Sequence, residues 1–169
     1  MEKFGLALHP EKTRLIEFGR FAAENRRKRG EGKPETFTFL GFTHICGRKH
    51  WSGGFIVKRR TAAKRLRAKL REVREALLRR RHEPIADVGK WLRSVMQGYF
   101  NYHGVPGNFI SLDTFRREAV RSWLHALRRR SQRHRMSWAR FRPIVDHWIP
   151  GARILHPYPN VRFYAKHPK

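Results

Sequence analysis

The residues in this sequence whose chemistry stands out are cations. Residues 58–82 carry twelve lysines and arginines against two glutamates. Four of the cations are spaced i, i+3, i+7 and i+10, so on a helix they share one face: Lys64, Arg67, Arg71 and Arg74. An ordinary solvated helix face mixes charge signs and gains i,i+4 ion pairs, whereas this one has few carboxylates to pair with. The imbalance favours a surface that binds a polyanion over a plain solvated face.

More cations lie on either side of this face. Three precede it and four follow it at the end of a later predicted helix: Lys58, Arg59, Arg60, Arg128, Arg129, Arg130 and Arg133. Arginine predominates, and its guanidinium suits forked contacts to phosphate better than the ammonium of lysine. We therefore predict that these residues contact a nucleic-acid backbone.

An aromatic segment provides a second signal. The sequence Tyr99-Phe100-Asn101-Tyr102 cannot place every ring on the inner face of one helix. At least one ring is then available to stack on a base or a ribose, with Tyr99, Asn101 and Tyr102 as the candidate contacts. Packing of all the rings inside the protein is an equally good interpretation of this pattern.

The composition of the whole chain agrees with these local patterns. Its 169 residues include 39 Lys and Arg against 13 Asp and Glu, a formal charge of +26. Such a charge repels itself in a compact state unless an anion binds, which makes nucleic acid the first hypothesis and an anionic membrane the second. The sequence has no run of about 20 apolar residues and no N-terminal signal pattern, so we expect a soluble, cytoplasmic protein.

Residues that would support catalysis are sparse. Two-metal nucleotidyl transfer needs closely spaced carboxylates, but the three aspartates are isolated from one another: Asp87, Asp113 and Asp146. No glycine-rich phosphate loop and no Gly-x-Ser-x-Gly motif occurs. His44, Cys46 and His50 come nearest to a metal-ligand set, but a fourth ligand is lacking and we favour three ordinary hairpin residues. We predict no catalytic site, no metal and no cofactor in this chain alone.

Short strands and turns are expected at the start of the chain. Apolar runs at residues 6–8 and 14–18 predict two strands joined by a turn at Pro10. The polar stretch that follows, residues 19–35, predicts a loop.

A hairpin is expected next. Alternating phenylalanines over residues 36–42 predict a half-buried strand. Residues 55–57, which follow Gly53-Gly54, predict its hairpin partner.

From Thr61 onward the apolar spacing becomes helical. Apolar stripes predict one helix from Thr61, one from Ile85 to a stop at Gly104, and one over about 112–130. Each stripe is one-sided, so the three helices can bury these stripes against one another.

A fourth helix is expected to begin after Ser137, whose hydroxyl suits an N-cap, and Pro143 should kink or shorten it. The predicted fold is therefore α+β, with a short β-hairpin piece followed by a mostly α-helical bundle. We expect the β piece over 1–58, the bundle over 59–149 and an extended basic tail over 150–169.

Several segments follow one another in an order known from one protein family. They are residues 4–13 (FGLALHPEKT), 37–42 (FTFLGF) and 98–102 (GYFNY), then Trp123, 127–132 (LRRRSQ) and 154–159 (ILHPYP). The first two resemble the end of the palm of bacterial group II intron reverse transcriptases, the intron-encoded maturases. The next three resemble the maturase-specific thumb, and the last resembles the tail that often follows it. The similarity spans nearly the whole chain.

The resemblance implies roles for individual residues. Residues 39–42 match the primer-grip hairpin, namely Phe39, Leu40, Gly41 and Phe42, where the glycine lets the backbone approach the primer strand. Lys12 matches a palm lysine beside the nucleotide site, although a turn lysine is the better interpretation for this chain alone. The helical half matches the thumb, which would lie against the nucleic acid through backbone contacts.

The resemblance also implies a function. The chain would be the RNA-binding C-terminal portion of a group II intron reverse transcriptase/maturase, from a family of RNA-directed DNA polymerases that also assist splicing. The catalytic Tyr-Ala-Asp-Asp strand and the fingers would lie upstream of Met1, so we expect no polymerase activity from the chain alone. Mg²⁺ would serve only the complete polymerase.

The expected partner is intron RNA or an RNA/DNA template–primer duplex in the bacterial cytoplasm, without a membrane. Two alternatives remain open. The chain could complement a separately encoded fingers–palm fragment to form a split, active reverse transcriptase. It could instead be a non-functional, truncated remnant.

Overall fold

A computed structural model describes residues 5, 9, 13–131, 136–159 and 161 of the chain. Over this part the fold is α+β, as predicted, with an antiparallel three-stranded sheet and five helices. In chain order the elements are α1 (Ala22–Lys28), β1 (Phe37–Phe39), β2 (Phe42–Arg48), β3 (Phe55–Thr61), α2 (Ala63–Arg79), α3 (Ile85–His103), α4 (Phe109–Arg128) and α5 (Trp138–Trp148). The chain divides into a first unit, Met1–Phe37 with His44–Val57, and a helical unit, Thr38–Thr43 with Lys58–Lys169.

The first unit differs from the prediction in two places. A seven-residue helix, α1, lies inside the stretch 19–35 that was predicted to be a loop. Residues 14–18 form no strand. Phe18, at the end of this run, meets Phe37 edge-on with the ring centroids 4.9 Å apart. The strand predicted at residues 6–8 and its turn at Pro10 lie outside the described residues.

The sheet has the strand order β1-β2-β3. The single strand predicted over residues 36–42 is interrupted at Leu40 and Gly41, whose φ angles are 47° and 78°. Two consecutive positive φ angles are what a tight two-residue hairpin turn requires, so the chain reverses there. Residues 55–57 lie in a strand, β3, as predicted, but β3 pairs with β2 and not with residues 37–39, because the chain has already reversed at Leu40 and Gly41. The Lys49 N–H donates to the Gly54 carbonyl at 2.8 Å across the turn between β2 and β3.

Three of the predicted helices are present close to their expected bounds as α2, α3 and α4. Their apolar stripes pack into one core, in which the largest fully buried side chains include Trp123, Phe100 and Phe115. The end predicted at Gly104 is also observed, since its N–H donates to the Phe100 carbonyl at 2.7 Å.

The helices α2 and α4 run in the same direction because both pairs of ends are tied together. At the start, the buried Asn108 side chain accepts from the Thr61 N–H and donates to the Thr61 hydroxyl and to the His103 carbonyl, each at 2.8 Å. At the other end, the Arg130 guanidinium donates to the carbonyls of Arg81 and Glu83. The helix α3 therefore runs back between these two ends.

The fourth predicted helix is α5. The Ser137 hydroxyl caps it by accepting from the Arg140 N–H at 3.4 Å, as predicted. The helix passes through Pro143 and continues to Trp148. Gly89 in α3 leaves room for the Trp148 indole, since a Cβ at this position would lie 2.6 Å from the ring.

Beyond α5, residues 150–158 form no helix or strand. This segment attaches to the end of α3, where the N–H groups of Leu155 and His156 donate to the Gly104 carbonyl at 2.8 and 3.0 Å. Among the described helices, none is both long enough and apolar enough to cross a lipid bilayer.

Candidate nucleic-acid interface

The exposed face of α2 carries the predicted row of cations. The side chains of Lys64, Arg67, Arg71 and Arg74 are all exposed, while Val73 and Leu77 on the other side of the helix are buried in the core. Helical spacing places the four cations along about 15 Å of one face. We call these four residues the α2 row.

The α2 row has no neutralising partner among the described residues. Glu72, which lies on the same helix, pairs instead with Lys69 at 2.7 Å. Arginine stays protonated at any physiological pH. Glu75 is exposed on the same face, four residues after Arg71, but forms no ion pair with the row. The four cations of the row are therefore open to an anion.

The cations on β3 lie just before the row. Lys58 and Arg60 are exposed and Arg59 is half-buried, which follows the alternation of a strand. Gly107 lies near Arg59, because a Cβ built on this glycine would be 3.9 Å from the Arg59 backbone. Lys58 and Arg60 are thus free to contact a ligand on one face of the strand.

The predicted cations at the end of α4 have different environments. Arg129 is exposed, and Arg128 is exposed but donates from Nε to the Met136 carbonyl at 2.9 Å. Arg130 is half-buried and its guanidinium is used to tie α4 to the loop after α2. Arg130 therefore has a structural role that the sequence did not reveal, and Arg133 lies outside the described residues.

The predicted aromatic contacts separate into buried and exposed groups. Tyr99 is buried and stacks on Phe115 with a centroid separation of 3.7 Å, and this burial raises its pKa to about 12. Its ring is not accessible to a base, because the stripe of α3 that faces the core includes this position. Asn101 is exposed and accepts from Gln97 at 2.8 Å, and the ring of Tyr102 is 55% exposed.

The residues predicted as a primer grip form the turn between β1 and β2. Phe39 and Leu40 are exposed, and Phe42 is buried with its ring stacked 5.8 Å from the Tyr102 ring. The Tyr102 hydroxyl donates to the Leu40 carbonyl at 2.9 Å, and the Gly41 carbonyl accepts from the Ala62 N–H at the same distance. α3 and the start of α2 thus hold this turn in place.

A groove of about 660 Å³ lies between α2 and α3. Its walls include two cations and one carboxylate of α2 and four rings of α3: Arg65, Lys69, Glu72, Trp91, Tyr99, Tyr102 and His103. Burial lowers the pKa of His103 to about 4, so this ring is neutral near pH 7 and adds no charge. Arg65, Trp91 and His103 were not predicted. Trp91 lies eleven residues, or three helical turns, before Tyr102. His103 lies four residues after Tyr99, whereas Arg65 has no such spacing from the α2 row.

In the described part of the chain no three His, Cys, Asp or Glu side chains are grouped as metal ligands. The His44 ring stacks on Phe37 with centroids 4.8 Å apart. The Cys46 sulfur accepts from the Gly19 N–H at 3.4 Å. Asp113 and Asp146 pair with arginines on their own helices. Lys12 lies outside the described residues.

Comparison with models of protein families, with curated proteins and with solved structures gives no match for this chain.

Proposed function

We propose that this chain is an RNA-binding portion of a group II intron reverse transcriptase/maturase and that it binds RNA through the α2 row. The single observation that carries the proposal is four exposed cations on consecutive turns of α2 with no described carboxylate partner. Repulsion within such a row is relieved when a phosphate backbone binds and releases its counterions. The family is proposed from the motif order in the sequence.

RNA is favoured over an anionic membrane by what lies on the other side of α2. A helix that binds a membrane surface inserts its apolar face between the lipid headgroups. The apolar face of α2 instead packs into the core through Val73 and Leu77. Only the charged face is available, which suits a phosphate backbone.

The α2 row is tested by the salt dependence of RNA binding. Titration of the full chain with a structured RNA over a range of KCl should give a log–log slope of about 0.7–0.9 per phosphate neutralised. The triple variant Arg67→Gln, Arg71→Gln, Arg74→Gln should lower that slope by about 2 to 3, since three phosphate contacts are lost.

A matched control removes three charges that already have partners in the helical unit. Arg117, Arg121 and Arg142 form ion pairs with carboxylates on their own helices. Their triple replacement by Gln changes the net charge equally but should change the slope by less than about 1. If both triple variants change the salt slope equally, net charge alone determines binding and the α2 row is not its site. A wild-type chain that stays unbound at physiological ionic strength would overturn the proposal.

The polymerase relationship has its own test. The described aspartates are not paired for two-metal chemistry, so primer extension with Mg²⁺ by this chain alone should be undetectable. Measurable extension would contradict the proposal of a binding portion. A non-cooperative thermal melt of the chain would favour the alternative that it is a non-functional, truncated remnant.

A further inference from the structure

The turn between β2 and β3 carries an exposed indole. Trp51 is 87% exposed, and its ring makes no ring–ring or cation–π contact with the described residues. A single exposed apolar residue is ordinary in folded proteins and by itself indicates nothing. The turn and the cations beside Trp51 distinguish it from such an isolated residue.

The turn that presents Trp51 is well defined. The Lys49 N–H donates to the Gly54 carbonyl at 2.8 Å, and the Gly53 N–H donates to the Lys49 carbonyl at 3.1 Å. Gly53 has a φ of 62°, a conformation that costs glycine nothing. The indole is therefore held at the tip of a closed hairpin.

The residues just before Trp51 are cationic and lack acidic partners. Arg48 and Lys49 are exposed and make no ion pair with a described carboxylate. The described glutamates of the first unit pair elsewhere, with Arg14, Arg26, Lys28 and Arg29. The tip thus combines a free π face with two open positive charges.

We infer that the Lys49–Gly54 hairpin is a second nucleic-acid contact, in which Trp51 stacks on an unpaired RNA base and Arg48 and Lys49 contact the adjoining phosphates. Unpaired bases in loops, bulges and ends can stack on aromatic side chains, whereas bases within a duplex are covered by their neighbours. The ligand class is therefore RNA with unpaired nucleotides. This inference rests on the proposed RNA binding but concerns a different part of the chain from the α2 row.

Three substitutions separate the ring from the rest of the side chain. Trp51→Phe keeps an aromatic face, Trp51→Leu keeps only apolar bulk, and Trp51→Ala removes both. Leu15→Ala is the matched control, since Leu15 is fully exposed in the same unit and has no ring. Affinity is measured for an RNA hairpin with an eight-nucleotide loop and for a blunt duplex of the same length.

For the looped RNA, Trp51→Ala and Trp51→Leu should weaken binding by about 5- to 150-fold, while Trp51→Phe and Leu15→Ala should stay within about 3-fold of wild type. The salt slope should stay unchanged in all four variants, because no phosphate contact is lost. The duplex should bind all of them equally. With 2-aminopurine in the loop, wild type should quench its fluorescence and Trp51→Leu should not.

The outcomes are separable from those of the α2 row. A wild-type chain that binds neither RNA overturns the proposed function together with this inference. If wild type and Trp51→Leu bind the looped RNA equally tightly, only the hairpin contact is overturned. If Trp51→Leu instead loses binding to phosphatidylserine vesicles and keeps its RNA affinity, the tip is a membrane contact and the inference is also wrong.

Discussion

The two units of the chain differ in how their cations and carboxylates are paired. In the first unit each described glutamate is paired with a cation from residues 14–29, as in the ion pairs of Arg29 with Glu17 and Glu31. In the helical unit the cations of the α2 row form no ion pair with a described carboxylate. The first unit uses cations of residues 14–29 to hold itself together and leaves Arg48 and Lys49 open at one hairpin, while the helical unit leaves a whole row of cations open on one helix.

Packing explains why the two units differ. The helical unit buries a continuous core that includes Leu92, Phe115 and Trp123, and such burial is the dominant favourable term in folding. In the first unit Ala22 is the only described hydrophobic residue that is buried. A unit with a core can tolerate unpaired positive charge, because its stability does not depend on neutralising it.

The largest effect is expected when the polar junction of the helical unit is removed. Asn108→Ala leaves the Thr61 N–H and the His103 carbonyl without their buried partner, which should lower the free energy of unfolding by about 3 kcal/mol. Urea denaturation measures this loss. Asn101→Ala, at an exposed position, should cost less than about 0.5 kcal/mol. Equal costs would mean that the core, and not this junction, fixes the start of α2.

The next largest loss of stability is expected at the close contact between α3 and α5. Gly89→Ala would place a Cβ 2.6 Å from the Trp148 indole, and overpacking of this kind costs about 1–3 kcal/mol. The matched control is Gly98→Ala in the same helix, where a Cβ meets nothing within 4 Å. Because alanine has a higher helix propensity than glycine, Gly98→Ala should stabilise the protein by about 0.5–1 kcal/mol. If both variants gain stability in urea denaturation, α3 and α5 are not packed at Gly89.

Two arginines that are adjacent in the sequence, Arg129 and Arg130, test whether an exposed cation and a hydrogen-bonded one have different roles. Arg130→Gln removes donors to two backbone carbonyls and should cost about 1–2 kcal/mol in unfolding. It should leave the salt slope of RNA binding unchanged. Arg129→Gln, at an exposed position, should leave stability unchanged and lower the slope by about 0.7–0.9. The reverse result would exchange the roles assigned to the two residues.

The sequence predicted the helical unit well, because its apolar spacing reports which side of each helix is buried. It predicted the residues before α2 poorly. Leu40 illustrates the reason: a leucine with positive φ is rare, so the alternating phenylalanines around it indicated one strand and hid a turn. Gly41 was the only local signal of that turn.

The candidate site was predicted in part for a related reason. Helical spacing was sufficient to place Lys64, Arg67, Arg71 and Arg74 on one exposed face. It could not distinguish Arg130 from Arg129, because the carbonyls that bind Arg130 come from a loop 47 to 49 residues away in the chain. Asn108 was not predicted to have a role; it stands at the N-cap of α4, but its side chain bonds to Thr61.

The two units should lose stability at different pH values as the solution is made acidic. Burial lowers the pKa of His103 to about 4, so below pH 6.5 the unfolded chain binds a proton that the folded helical unit does not. The helical unit should therefore lose stability as the pH falls from about 6.5 to about 4. Hydrogen bonds from Arg29 and Lys28 lower the pKa values of Glu17, Glu24 and Glu31 below 4.5, so the first unit should lose stability only below that pH.

The two windows can be followed in the full chain by NMR cross-peak intensities of each unit in a fixed, sub-denaturing urea concentration. Between pH 6.5 and 5 the peaks of α3 and α4 should weaken while those of α1 persist, and His103→Gln should remove this difference because its side chain does not titrate. Loss of the α1 peaks first, or an unchanged profile in His103→Gln, would contradict the assignment. The first result would mean that paired surface charge sets the acid limit of this chain, and the second that a group other than His103 titrates in the helical unit.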